Sequence, residues 1–395
     1  SFCMPEELLT SGGSYTKGEM QIGGIGLSIT RHYFPGNNTP EGFFSYYQYI
    51  LGQREAKKII CIKGGPGTGK STFLKRVGEK LSGSGQNVDF LHCSADEHSL
   101  DGILLVDKKI AFIDGTSPHI IDPITPGAVD SIINFGEFWN DKKIADNKED
   151  IISYNEECSR WYKLAYNYLA AAKSIYNNLS GINEDGIELS EIYKLAADII
   201  VREYKKYDIS IKAGNVKRFF ASAITPGGTI SFVKSLLGRM RKIYLINVPE
   251  GYGNTTFMNI LLDGAVYRGF DTECYYCPMD PQRKIEHMLV PELGLAFITT
   301  NKWHDLEPWE ISEDEDDSRD ITMIDISDFQ SVYFAEKNAG TLGRLSRLYA
   351  NLIEESVSAL SRAKENHDLV EKMYIRNMNF EKIDALVEKT VESIV

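Results

Sequence analysis

The chain has 395 residues, 43% of them apolar and 25% charged, with a net charge of −13. That length predicts two or three cores rather than one domain, and the acidic balance gives no reason to expect nucleic-acid binding, which normally takes a basic face. No run approaches the ~18 apolar residues of a membrane span, and no basic-then-apolar leader opens the sequence, so the expected compartment is the cytoplasm.

Residues 1–30 form an N-terminal extension whose G-G-x-G is followed by no helical pattern, which removes it as a nucleotide fingerprint. After "FPGNNTPEGFFSYYQYIL", an apolar strand "KIICI" enters "GGPGTGKS" (Gly64–Ser71), and a helix is predicted over Ser71–Leu81. Two further strands are "VDFLHCS" and "KIAFID", the latter ending at Asp114. Strands joined by helical crossovers imply a parallel sheet with ligands at its carboxyl ends, the P-loop NTPase arrangement.

Proline-free segments Lys148–Leu179 and Leu189–Tyr207 follow. Trp161, Leu164, Ala165, Tyr168 and Leu169 have the spacing of one helical face. "SGINEDGI" (Ser180–Ile187) is expected to fold the pair into an antiparallel hairpin. Such a hairpin would pack on its own sheet, pack on its counterpart, or protrude as an arm for a protein partner.

The same succession then repeats, with "KIYLINVPEGYGNTTFM" in the second half matching "KIICIKGGPGTGKSTFL" in the first. Gly67, Gly69, Thr72 and Phe73 align with Gly251, Gly253, Thr256 and Phe257, whereas Lys70 meets Asn254 and Asp114 meets Thr299. Beyond an acidic insertion at Ser312–Asp320, read as a solvated loop, Ala172-Lys173 aligns with Ala363-Lys364. The second pair of helices is predicted over Leu342–Tyr374 and Phe380–Ile394. The domains expected are an extension (1–30), an active domain (31–146), a helical hairpin (147–212), a degenerate domain (213–333) and a second hairpin (334–395). The fold class is α/β, two tandem parallel-sheet units from an internal duplication.

"GGPGTGKS" satisfies G-x-x-x-x-G-K-[ST] between a strand and a helix. Gly64, Gly65, Pro66, Gly67, Thr68 and Gly69 form the loop whose backbone N–H groups would surround the β-phosphate of ATP at a helix N-terminus. Lys70 is expected to bridge β- and γ-phosphates, Ser71 to coordinate Mg2+ together with the acid Asp114, and Thr72 to contact the α-phosphate. Gly115 follows Asp114 where many ATPases carry a glutamate. Asp96 and His119 remain as catalytic candidates to position water, although both recur in the second half as Asp280 and His304. Arg268 and Arg283 are candidate cations donated by that half. Loss of the lysine and the acid from one copy predicts a single competent site.

Cys61 falls within a strand pattern, and Cys274 and Cys277 lie in the strand-like "DTECYYC", so reduced thiols are expected rather than disulfides. "NKED" (Asn147–Asp150) opens a helix instead of ending a strand, which leaves ATP rather than GTP as the expected nucleotide.

The combination of "RHYF", "TPEGF", "KGGPGTGKST", "HCSADEHSLDG", "IAFIDGTSPHIIDP" and "PGAVDSIINFGEFW" resembles uncharacterised tandem P-loop ATPases of low-GC, often spore-forming bacteria. The resemblance covers residues 31–395 and implies a cytoplasmic ATP-binding protein with contacts at Gly64–Thr72 and Asp114. Val248, Asn254 and Thr299 depart from its pattern in the second half. The leading expectation is an ATPase or ATP-driven switch; the alternatives are a kinase of a small molecule and a non-catalytic nucleotide sensor.

Overall fold

A computed structural model describes residues 28–116, 121–251, 255–311 and 319–395. The first half contains β1 (Thr30–Tyr33), β2 (Gly36–Thr39), β3 (Gly42–Ser45), β4 (Lys58–Lys63), α1 (Lys70–Gly83), β5 (Val88–His92) and β6 (Leu100–Leu105). It continues with β7 (Ile110–Asp114), β8 (Asp130–Asn134), α2 (Asp141–Ala145), α3 (Lys148–Asp185) and α4 (Leu189–Tyr204). The second half repeats this as β9 (Val216–Phe219), β10 (Ser222–Thr225), β11 (Gly228–Ser231), β12 (Lys242–Asn247), α5 (Thr255–Val266), β13 (Thr272–Cys277) and β14 (Asp280–Val290). β15 (Leu295–Thr300), α6 (Pro308–Ile311), β16 (Asp320–Asp325), α7 (Val332–Ile375) and α8 (Phe380–Glu392) complete it.

Each half holds a six-stranded sheet, ordered β1-β5-β6-β7-β4-β8 and β9-β13-β14-β15-β12-β16, so the two copies share one topology. The sheets are mixed, not parallel as expected. β6 and β14 enter antiparallel between their neighbours. "LDGILLV" is itself an apolar run, and the turn that returns it into β7 includes Lys109, whose φ is +55°. A hairpin fits there without a crossover helix.

Alternation along β4 shows how each sheet is buried on both faces. Ile59 and Cys61 join a core shared with Ile243 and Leu245 of the second sheet. Ile60 and Ile62 face Phe73, Leu74 and Val77 of α1. In β12, Tyr244 and Ile246 take the corresponding outward position against α5. The halves meet about a pseudo-twofold: the N–H of Phe34 donates to Phe220 O (2.9 Å), and that of Phe220 returns to Phe34 O (3.0 Å). Asn37 and Asn38 of the β2–β3 hairpin bind the carbonyls of Ser222 and Ile224, and Arg31 joins Asp89 (2.6 Å) to Glu273 of the opposite sheet (2.7 Å).

The helices cross between halves, which sequence periodicity does not reveal. α3 runs six residues beyond Leu179, through the expected turn, to Asp185, and α7 begins at Val332 rather than Leu342. The two pack antiparallel: Trp161 lies under Arg362 (5.7 Å), Ser356 donates to Ala165 O (3.1 Å), and Tyr176 meets Tyr349 (5.7 Å). The buried stripe of α3 is Ala165, Leu169, Ala172, Tyr176, Leu179 and Asn183, whereas Leu164 of the expected face is exposed. Alternating steps of three and four give the 3.5-residue repeat of a coiled coil, which α7 shares through Tyr349, Ile353, Ser356, Leu360 and Ala363. The helices of each predicted hairpin therefore find their main partners elsewhere. α4 covers α5 of the second half, and α8 covers α1 of the first.

The five cysteines among the described residues are unbridged and buried. Among those residues, no helix is long and apolar enough to cross a membrane.

Candidate functional site

β4 ends at Lys63 and α1 starts at Lys70, so Gly64–Gly69 must reverse direction at a helix N-terminus. Gly67 and Gly69 do so at φ +65° and +89°, a region that costs a side-chain-bearing residue roughly 1 kcal/mol or more. The first N–H groups of α1 have no intrahelical acceptor, and the helix dipole adds positive potential there.

Lys70 is buried, and its Nζ donates to Gly64 O (2.9 Å) and Gly65 O (2.8 Å). It also lies 3.6 Å from Asp114, which β7 places beside Ile62 of β4. The other Asp114 oxygen accepts from the Thr116 N–H (2.8 Å), while the Thr116 hydroxyl donates to Gly64 O (2.9 Å). Thr68 closes the loop by donating to Gly65 O (2.8 Å). Ser71 Oγ accepts from Leu100 N–H (2.9 Å), which leaves a lone pair for a cation. Lys63 holds the segment after Asp114 through the carbonyls of Gly115 and Ile121, both at 2.7 Å. The chain thus brings Gly64–Thr72 and Asp114 together.

Asp96 has a different setting. It accepts from Ser99 Oγ (2.7 Å) and lies 3.6 Å from Lys364 on α7. Burial pulls its pKa up, but Ser99 and Lys364 outweigh that and hold it below the ordinary value. The equivalent Asp280 meets Lys173 on α3 at 3.0 Å. One ion pair between halves thus occurs twice, beside the intact loop and beside the altered one, as a structural role for Asp96 would require. His119 lies outside the described residues. Arg268 donates to the carbonyls of Tyr204, Tyr207 and Gly264, so its guanidinium ties the end of α4 to α5. Arg283 lies on β14 of the second sheet.

Sequence reasoning missed the cover over the loop. A Cβ on Gly65 would lie 2.7 Å from the Tyr374 ring, and one on Gly67 would lie 2.6 Å from Glu371 O. The Gly67 N–H donates to the Glu371 carboxylate at 3.2 Å. Phe380 and Ile383 approach Gly69. All four residues belong to the second half. The recurrence of Lys173 and Lys364 alongside Asp96 and Asp280 was the available signal, but opposite charges repeated in two copies do not say which copy pairs with which.

At the altered loop Asn254 lies outside the described residues. Glu250 aligns with Pro66 and binds Lys302 (2.7 Å), Trp303 Nε1 (2.9 Å) and the Ser346 hydroxyl. Gly251 is backed by Leu179 and Asn183 of α3. Beside this loop a cleft is lined by Tyr176, Glu250, Trp303 and His304, among others. Beneath it Glu286, His287 and His304 offer ligand-type atoms within 4.8 Å of one another. They suit a metal poorly. His304 Nε2 is already 2.8 Å from Glu286, and the Thr299 N–H donates to His287 Nδ1 (3.1 Å), which leaves the neutral ring's proton on Nε2 instead of a lone pair. Burial, then His304, lowers the His287 pKa to about 3 and keeps the ring neutral.

Compared with protein-family models, curated proteins and solved structures, the chain gives no significant match to any of them.

Proposed function

We propose that the protein is a P-loop NTPase that binds one Mg-ATP at Gly64–Thr72 and Asp114 and works as an ATPase or ATP-driven switch. The observation that carries this reading is the position of the Lys70 amine, on loop carbonyls at the mouth of α1 and 3.6 Å from Asp114. This is a cation poised to move from its own loop to an incoming phosphate. Ser71 and Asp114 would hold Mg2+, which supplies charge neutralisation on the phosphate oxygens. The resemblance to tandem P-loop ATPases points the same way. The second half contributes no equivalent site on this reading, because Glu250 sets a carboxylate in the loop and Thr299 replaces the acid.

The cover supplied by α7 and α8 favours a switch, since the loop cannot be filled without disturbing a contact between halves. Titration calorimetry is expected to give one Mg-ATP per chain; two equivalent tight sites would contradict the assignment. Phosphate release measured with and without pooled small metabolites separates ATPase from kinase, because only a kinase requires an acceptor.

A further inference from the structure

Glu371 occupies a position that loop chemistry assigns to an anion. It sits in the last two turns of α7, a helix of the second half, yet its carboxylate accepts the Gly67 N–H of the first at 3.2 Å. His367, one turn earlier, lies 3.6 Å from it. The bond from His367 outweighs the opposing effect of burial and holds the carboxyl below its ordinary pKa, hence ionised near neutrality. At the repeat offset Glu371 falls on Ser180, which has no charge. The acid therefore faces only the loop that carries a lysine.

We propose that Glu371 is an internal stand-in for phosphate: Mg-ATP must displace its carboxylate from the intact loop, and in doing so releases the α7–α8 corner from the first half. This inference rests on the nucleotide reading of that loop. Its physical basis is competition, because the Gly67 N–H has one hydrogen and a phosphate oxygen needs it. Two negative groups converging on one helix N-terminus also repel. The displacement has a direct route outward. Glu371, Tyr374 and Phe380 stand on the loop, and α8 continues along α1 with Arg76 paired to Asp384 and Lys80 to Glu388 (2.8 Å). Ile383 and Val387 are buried against α1 and gain from removal of apolar surface from water, whereas the exposed ion pairs beside them are screened by solvent and contribute little. Apolar contact thus holds α8 in place while the corner at Glu371 is the part that nucleotide can lift.

The test compares the full chain, Glu371→Gln and Glu371→Asp, with Lys70→Ala as the weakened-binding control. Calorimetry should show both Glu371 variants binding Mg-ATP about tenfold more tightly than the parent, the scale of one charge-assisted hydrogen bond. Hydrogen exchange should rise over residues 366–380 when Mg-ATP binds the parent, and should already be raised in Glu371→Gln without nucleotide. Affinity that is equal or weaker in the variants, with exchange unchanged on binding, would overturn the proposal and leave the nucleotide site standing. If neither parent nor variants bind Mg-ATP at millimolar concentration, the nucleotide reading falls and the proposal with it.

Discussion

The two glycine loops occupy the same place in two copies of one sheet, and each is covered by the long helix of the opposite half, but their charges are arranged in reverse. The intact loop keeps Lys70 and Asp114 inside and meets the carboxylate of Glu371 from outside. The altered loop carries the carboxylate itself, as Glu250, tied to Lys302 and Trp303, and meets uncharged Leu179 and Asn183. Packing involves many residues whose burial depends on each other. Phosphate chemistry depends on a few side chains that can change without disturbing that packing, so a duplicated scaffold can keep its shape while one copy loses its charge.

The strongest way to break this comparison is to separate the halves. Residues 1–212 lack α7 and α8, so the outer face of α1 and the stripe of α3 lose their cover. The fragment is expected to lose at least ~5 kcal/mol, as much as the whole stability of many domains, and to aggregate or melt without cooperativity in calorimetry. Residues 213–395 added separately should restore part of the transition. A monomeric fragment melting at the full-length temperature would show that the crossed helices are incidental.

Next in size is the effect of removing the charge. Lys70→Ala should weaken Mg-ATP binding by roughly a hundredfold, the value of a charged hydrogen-bonding contact at the upper end of its range. Asn254→Ala should change it less than about twofold. Equal losses in the two titrations would reverse the assignment of competent and altered copies.

Glycine substitutions probe packing and chemistry together. Gly67 and Gly251 both have positive φ, and an added Cβ would lie 2.6 Å from Glu371 O in one case and 2.7 Å from Leu179 Cβ in the other. Each alanine substitution should cost about 1–3 kcal/mol of stability in denaturant titrations. Only Gly67→Ala should also weaken nucleotide binding.

A further comparison distinguishes the halves by pH. His92 in the first sheet is lowered to about 4 by burial and then His32, and His287 in the second to about 3 by burial and then His304. Both folded values lie below the unfolded value near 6.5, so the unfolded state binds more protons between them. Stability is full above about pH 6.5 and falls on acidification toward pH 4 and then 3, by up to about 1.4 kcal/mol per unit for each ring. His92→Gln and His287→Asn should each flatten this decline in melts recorded from pH 7 to 4, and below pH 4 only His287→Asn should still change it.

Much of the scaffold was legible because it is local. The β4 strand, the loop and α1 lie within 26 residues, and glycine spacing, an apolar run and a helical period each constrain that stretch directly. The repeat made β12 and α5 legible by the same logic. The antiparallel β6 and β14 were missed because an apolar run does not state its direction. The stripe on α3 was misread because Leu164 fits a 3.6-residue face, whereas a helix pairing with another long helix buries a 3.5-residue seam.

What the sequence determined by itself was the duplication, the α/β succession of elements and the constellation of Gly64–Ser71 with Asp114, since these depend on residue types at short, fixed spacing. Tertiary structure alone decided that Lys364 meets Asp96, that α8 rests on α1 and that Glu371 reaches Gly67 across 304 positions of chain. In a duplicated chain every surface occurs twice, and pairing within a half or between halves satisfies the same sequence pattern. The choice rests on the geometry of the pseudo-twofold, which reverses α3 against α7 and carries the end of each past the loop of the other.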